Sequence, residues 1–168
     1  MADLAIRPYR SNDLLRLREG RHPASIQSLF DSPLIAAALE ASKRIGFAWS
    51  GEIGDELVGI AALGEKWPGT AVGWAWFSPA IPKRCWLRIC AFSQTELARA
   101  HARGFTRIEA SSQADFGPAF RFLLALGFGL ETPRPARAYG PDGADYFLWA
   151  KVAGSKVARE TTAREMAA

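Results

Sequence analysis

The sequence has little of what metal and redox chemistry most often uses: two cysteines and two histidines in 168 residues. Cys85 and Cys90 lie five apart on one predicted helix, about 140° apart around its axis, so they are not expected to bridge and both are read as reduced. His22 and His101 make no metal cluster with those thiols at that spacing. No apolar run approaches the ~20 residues of a membrane span, so no membrane partner is expected. The opening MADLAIRPYR carries charge where a secretory signal needs an apolar stretch, so the protein is expected in the cytoplasm. Dense basic blocks are also missing, so nucleic acid is not an expected partner. The formal charge of +4 and pI near 9.4 do fit an acidic ligand.

What the chain does have is apolar content. Hydrophobic residues make up 49%, six of them tryptophan. A chain of this length buries roughly 70% of its unfolded surface and needs no disulfide or metal to fold. One domain over residues 1–153 is expected, with a small, charged, frayed tail at 154–168.

The hydrophobic pattern alternates between periods of two and 3.6 residues. Leu4–Arg10 reads as a strand, with Ser11 or Asn12 capping a helix that starts near Asp13. Ser32 and Pro33 open a second helix as N-cap and first residue. Strands follow at Ile45–Ile53, Glu56–Leu63 and Thr70–Phe77, separated by turns at Gly54-Asp55 and Pro68-Gly69. A long helix spans Pro82–Arg103, with Trp86, Ile89, Cys90, Ser93, Leu97 and Ala100 toward the sheet. Phe105–Ser111 is a strand, and 115–127 a helix ending at Gly127. Strands at Phe128–Ala138 and Asp145–Val152 close the chain around the turn GPDGAD. No internal repeat interrupts this order. It predicts a mixed, mostly antiparallel α/β sheet with helices on both faces, and a right-handed parallel crossover through the long helix.

The stretch WFSPAIPKRCWLRI, Trp76 to Ile89, runs from a strand directly into that helix. Such a turn gathers free backbone N–H groups and favours an anion. Lys83 and Arg84 would add charge to a phosphate there, or form a solvated basic face. Glu109 could serve as a general base, or be the polar side of its strand. Glu65 is a comparable carboxylate in the loop before Trp74 and Trp76. Tyr139 and Tyr146 flank the last turn and could supply an acid, or pack with a wet hydroxyl. Trp74 and Trp76 read as core, with a stacking platform as the alternative. Trp67 sits in a turn and is the better candidate for a ligand or partner contact. His101 is accounted for by the helix C-terminus beside it, and His22 gives no signal.

The element order resembles the GNAT superfamily of acyl-CoA-dependent N-acyltransferases. The most specific local likeness is RIEASSQADFGPAFRFLLALGFGLE, Arg107 to Glu131, which is similar to that family's fifth strand, fourth helix and closing Gly-Phe. The resemblance covers about Leu4 to Val152. It implies acetyl-CoA in a wedge between splayed fourth and fifth strands, with its pyrophosphate at the start of the third helix. The implied cofactor-binding residues are Phe77, Ser78, Ala80, Lys83, Arg84 and Asp115. The implied reaction is direct attack of a small-molecule or protein amine on the thioester, with Glu109 and Tyr139 as candidate proton carriers. The sequence departs from the family pattern at two places. Ala80–Trp86 contains no glycine and Pro82 offers no N–H. The fourth-helix tyrosine position is Leu123, and the asparagine position near that helix's start is Phe116, beside Asp115. The ending RAYGPDGADYFLWAKV is also similar to GNAT-like proteins of tailed phages. That likeness leaves open a non-catalytic structural or binding role, with a protein partner in a virion.

Overall fold

A computed structural model describes residues 3–18, 32–79, 81–140 and 143–154. Its elements are β1 (Leu4–Pro8), α1 (Asp13–Arg18), α2 (Pro33–Arg44), β2 (Ala48–Ile53), β3 (Glu56–Trp67), β4 (Thr70–Phe77), α3 (Cys85–Ala102), β5 (Arg107–Gln113), α4 (Gly117–Ala125), β6 (Gly129–Leu130) and β7 (Tyr146–Val152). The strands form a seven-stranded sheet in the order β1-β2-β3-β4-β5-β7-β6. Chain contacts divide it into two compact units, Met1–Lys66 with Val72–Ile89, and Trp67–Ala71 with Cys90–Ala168.

In the first unit β1 pairs antiparallel with β2, and β2 with β3. The Gly54-Asp55 turn closes the second hairpin at the pair Ile53–Glu56, with Gly54 at φ +62°. A register shift between Gly51 and Glu52 marks a β-bulge. One sheet face carries the core. Leu14 and Leu17 of α1 and Leu39 of α2 pack with Tyr9, Ala48, Leu57, Ile60 and Ala62, and Trp74 and Trp76 pack against the same cluster. The core reading of the two tryptophans is therefore correct. On the opposite face of β4, Phe77 meets Trp86 of α3 edge to face, ring centroids 5.1 Å apart. Helices thus cover both faces here.

In the second unit β7 pairs antiparallel with β5 along its full length, Arg107 opposite Val152 to Gln113 opposite Tyr146. Trp149, 1% exposed, lies opposite Ala110 and donates its indole N–H to Ser112 Oγ at 2.9 Å. Phe120 of α4 sits edge to face on Trp149 at 4.6 Å and on Phe147 at 5.8 Å. These contacts fix α4 on that face. Arg107 and Glu109 alternate with buried Ile108 and so occupy the other face. Lys151 reaches from β7 to the end of α4, donating to the Leu126 carbonyl at 2.6 Å.

Several expected boundaries move for identifiable reasons. The strand expected over Phe128–Ala138 reduces to Gly129–Leu130, followed by an isolated bridge between Ala136 and Tyr146. Pro133 and Pro135 remove ladder donors in between. Ile45 and Gly46 do not begin β2; their N–H groups bond to Ala41 and Lys43 carbonyls and terminate α2, with Gly46 at φ +77°. Ser32 is the N-cap of α2, yet its side chain makes no cap hydrogen bond. Strand β3 continues to Trp67, which places Glu65 in a strand rather than a loop. The long helix begins at Cys85 rather than Pro82. Residues 155–168, with most of the expected tail, lie outside the described residues, as do His22, Pro141 and Asp142.

Candidate active site

The turn after β4 is held by its own backbone. Ser78 N–H donates to Val58 O at 2.7 Å, carrying the strand one residue past its end. Ile81 N–H donates to Ser78 O at 3.2 Å, Cys85 N–H to Pro82 O at 2.9 Å and Trp86 N–H to Lys83 O at 3.2 Å. The cluster of free donors expected here is thus reduced, because tight local turns take the N–H groups of Cys85 and Trp86 and Pro82 has none. Ile81 and Cys85 are buried, Trp86 is half-buried, and Lys83 and Arg84 are exposed. Phe77 lies over Gly59 of β3. A Cβ built on Gly59 would come within 2.7 Å of Phe77 Cδ1, so the glycine makes room for the ring. Ala80 lies outside the described residues. The exposed charge of the turn itself is on the Lys83 and Arg84 side chains.

The second unit carries the carboxylates and tyrosines. Glu109 accepts from Arg107 Nε at 2.8 Å, while the same guanidinium forks onto Glu131, with Nη1 donating at 2.9 Å and Nη2 closer still. Glu109 is therefore part of an Arg107-centred ion cluster on the face opposite Trp149. Asp115 is exposed, just before Phe116, the N-cap of α4. Leu123 is buried and α4 contains no tyrosine. Tyr139 is 56% exposed, its ring centroid 6.1 Å from that of Tyr146. His101 donates from Nδ1 to the Phe105 carbonyl at 2.7 Å, just beyond the end of α3. Trp67 is the last residue of β3 rather than part of the turn, and it is 52% exposed. Cys85 and Cys90 are free thiols.

The polar centre that sequence reading missed lies under α1. Asp13 is fully buried. Its carboxylate accepts from Arg7 Nη1 and Nη2, from the Arg10 backbone N–H at 2.8 Å and from Ser50 Oγ at 2.8 Å. Glu52 accepts from Arg7 and from Arg16 Nη1 at 2.8 Å. Burial pushes the Asp13 carboxyl up, but the hydrogen bonds from Arg7, Arg10 and Ser50 outweigh it and hold it at about 2. Hydrogen bonds from Arg7 and Arg16 bring Glu52 to about 2 as well. An aspartate at a helix start reads from sequence as a first-turn acid, which is why its burial was not visible.

Strand order and element sequence together define the fold of the GNAT N-acetyltransferases. Among solved structures, yncA of Salmonella typhimurium, solved with its cofactor acetyl-CoA, is 18% identical at a TM-score of 0.63, covering 89% of this chain and 93% of its own. An N-acetyltransferase from Staphylococcus aureus Mu50 is 14% identical at a TM-score of 0.66, covering 90% of this chain and 99% of its own. The ribosomal-protein-S5-alanine acetyltransferase of Vibrio fischeri is 14% identical at 0.63, covering 90% and 94%. No protein-family model matches the sequence, and no curated protein matches it. No helix among the described residues is long and apolar enough to cross a membrane.

Proposed function

We propose that the protein is an N-acetyltransferase that takes acetyl from acetyl-CoA and transfers it to an amine. The observation that carries this reading is the likeness, over nearly nine-tenths of the chain, to a protein solved with acetyl-CoA. Lys83 and Arg84 bind the pyrophosphate through side-chain charge, in place of the glycine-rich backbone cradle that the turn lacks. Phe77 and Ser78 give that turn a fixed edge, and Asp115 lies at the start of α4. Acetyl-CoA supplies the activated acyl thioester. Glu109 takes the proton released by the attacking amine, and Tyr139 returns one to the departing thiolate.

A thermal-shift titration tests the reading. Acetyl-CoA at 100 times its dissociation constant stabilises by about 2.7 kcal/mol, a clear rise in Tm. Lys83→Gln with Arg84→Gln should remove that rise. No shift at millimolar acetyl-CoA would overturn it.

A second reading, a GNAT-fold binding protein without transfer activity, is favoured by the committed N–H groups of Cys85 and Trp86 and by buried Leu123 in place of a helix tyrosine. It expects no thiol release from acetyl-CoA with any amine. If the partner is a virion, mass spectrometry of purified particles would detect the chain.

A further inference from the structure

The segment between β6 and β7 holds an unusual combination of backbone strain and uncommitted charge. Among the described non-glycine residues, Ala138 alone has a positive φ, +50°. That conformation is costly for an L-residue and persists only where neighbours over-determine it. Here they do. The Ala138 N–H donates to Asp145 Oδ1 at 2.8 Å, Gly140 N–H to Ala144 O at 2.9 Å and Gly143 N–H to Gly140 O at 3.0 Å. Ala136 and Tyr146 exchange both backbone hydrogen bonds below.

The described carboxylates that bound the segment are both engaged. Glu131 is taken by Arg107, and Asp145 by the Ala138 N–H. Arg134 and Arg137 are exposed, and neither has a carboxylate partner among the described residues. Exposed Tyr139 stands beside them. A loop that presents two arginines and a tyrosine has the composition of a protein-interface hot spot, and the hydrogen bond at Ala138 lowers its ordering cost on binding. Planar guanidinium forks match carboxylates in bidentate geometry. Two cations neutralise too few phosphates for useful nucleic-acid affinity, which draws on several such contacts.

We propose that residues 134–139 form a docking loop for an acidic protein segment. Arg134 and Arg137 pair with its carboxylates, and Tyr139 packs on an adjoining apolar side chain. The loop shares Tyr139 with the proposed acetyl transfer, whereas Arg134 and Arg137 have no part in that reaction.

The test is fluorescence anisotropy of the full chain, at physiological salt, with a labelled peptide of four glutamates around one phenylalanine. Arg134→Gln with Arg137→Gln should weaken binding about tenfold or more. The charge-matched control Arg44→Gln with Arg121→Gln, on α2 and α4, should not. Asp145→Ala should also weaken binding, by freeing the strained turn, whereas Ala138→Gly should retain it. Among the described residues neither arginine has a carboxylate partner, and circular dichroism checks the fold of each variant. Absence of peptide binding by the unaltered protein, an equal loss in the control, or tighter binding of a labelled thymidine 12-mer would each overturn the proposal.

Discussion

Arg7 and Asp13 join β1 to the start of α1 through two parallel hydrogen bonds, 2.6 Å from Nη1 and 2.8 Å from Nη2, on a carboxylate with no solvent exposure. The pair clamps the first helix onto the sheet, and Glu52 extends it across β2. Removing one member of such a pair leaves the other desolvated and alone. Asp13→Ala should therefore destabilise by about 3 kcal/mol in urea unfolding, with Asp13→Asn losing less because the amide still accepts from Ser50.

The same carboxylates set the acid limit of stability. Asp13 and Glu52 sit at about 2, below their ordinary values of 3.8 and 4.5. A depressed folded pKa means that the unfolded chain binds more protons as acid is added. Their contribution is complete above about pH 5, declines through the unfolded values, and is lost as pH falls through the folded values near 2. Melting curves at a series of pH values should be flat toward neutrality and fall steeply below pH 4.5. Glu52→Gln should flatten part of that fall; an unchanged slope would count against the assignment.

Gly59 and Gly64 are places where a ring needs the space of a side chain. A Cβ at Gly59 would meet Phe77 at 2.7 Å, and one at Gly64 would meet Trp74 at 2.7 Å. Each alanine variant should cost about 1–3 kcal/mol by displacing a packed ring. Under the proposed function, Gly59→Ala should in addition weaken acetyl-CoA binding, since Phe77 meets Trp86 edge to face at the candidate turn. Gly64→Ala should leave that binding unchanged, and calorimetry separates the two.

Gly127 and Lys151 should be energetically coupled. Gly127 has φ +80°, and a Cβ there would stand 2.9 Å from Lys151 Nζ, which holds the end of α4. Gly127→Ala pays for both the backbone conformation and the clash, about 2 kcal/mol together. In a Lys151→Ala background only the backbone part remains. A double-mutant cycle in urea should show the difference, and strict additivity would show that the amine gives way freely.

The element order was readable because the apolar period switches cleanly. Trp74 and Trp76 alternate along a strand, whereas Ile89, Leu97 and Ala100 recur on a helix. Burial follows both patterns. Boundaries slipped where backbone bonding, rather than side-chain pattern, decides. Gly46 ends a helix inside what alternation reads as a strand, and Pro133 and Pro135 interrupt another. In the candidate site, residue types were visible but their commitments were not. That Glu109 belongs to an Arg107 cluster with Glu131 depends on where β5, β6 and β7 meet, which pattern cannot convey. Asp13 escaped for the same reason, since its partners come from β1 and β2.

The bond from Ser78 N–H to Val58 O bears on how any molecule is received at the turn. With Ser78 tied to the neighbouring strand and Ile81 tied back to Ser78, the chain leaving β4 has already given up much of its freedom before anything arrives. Association there spends little on freezing the backbone. Under the proposed function its strength depends on the exposed Lys83 and Arg84 side chains, and it should weaken as salt is added.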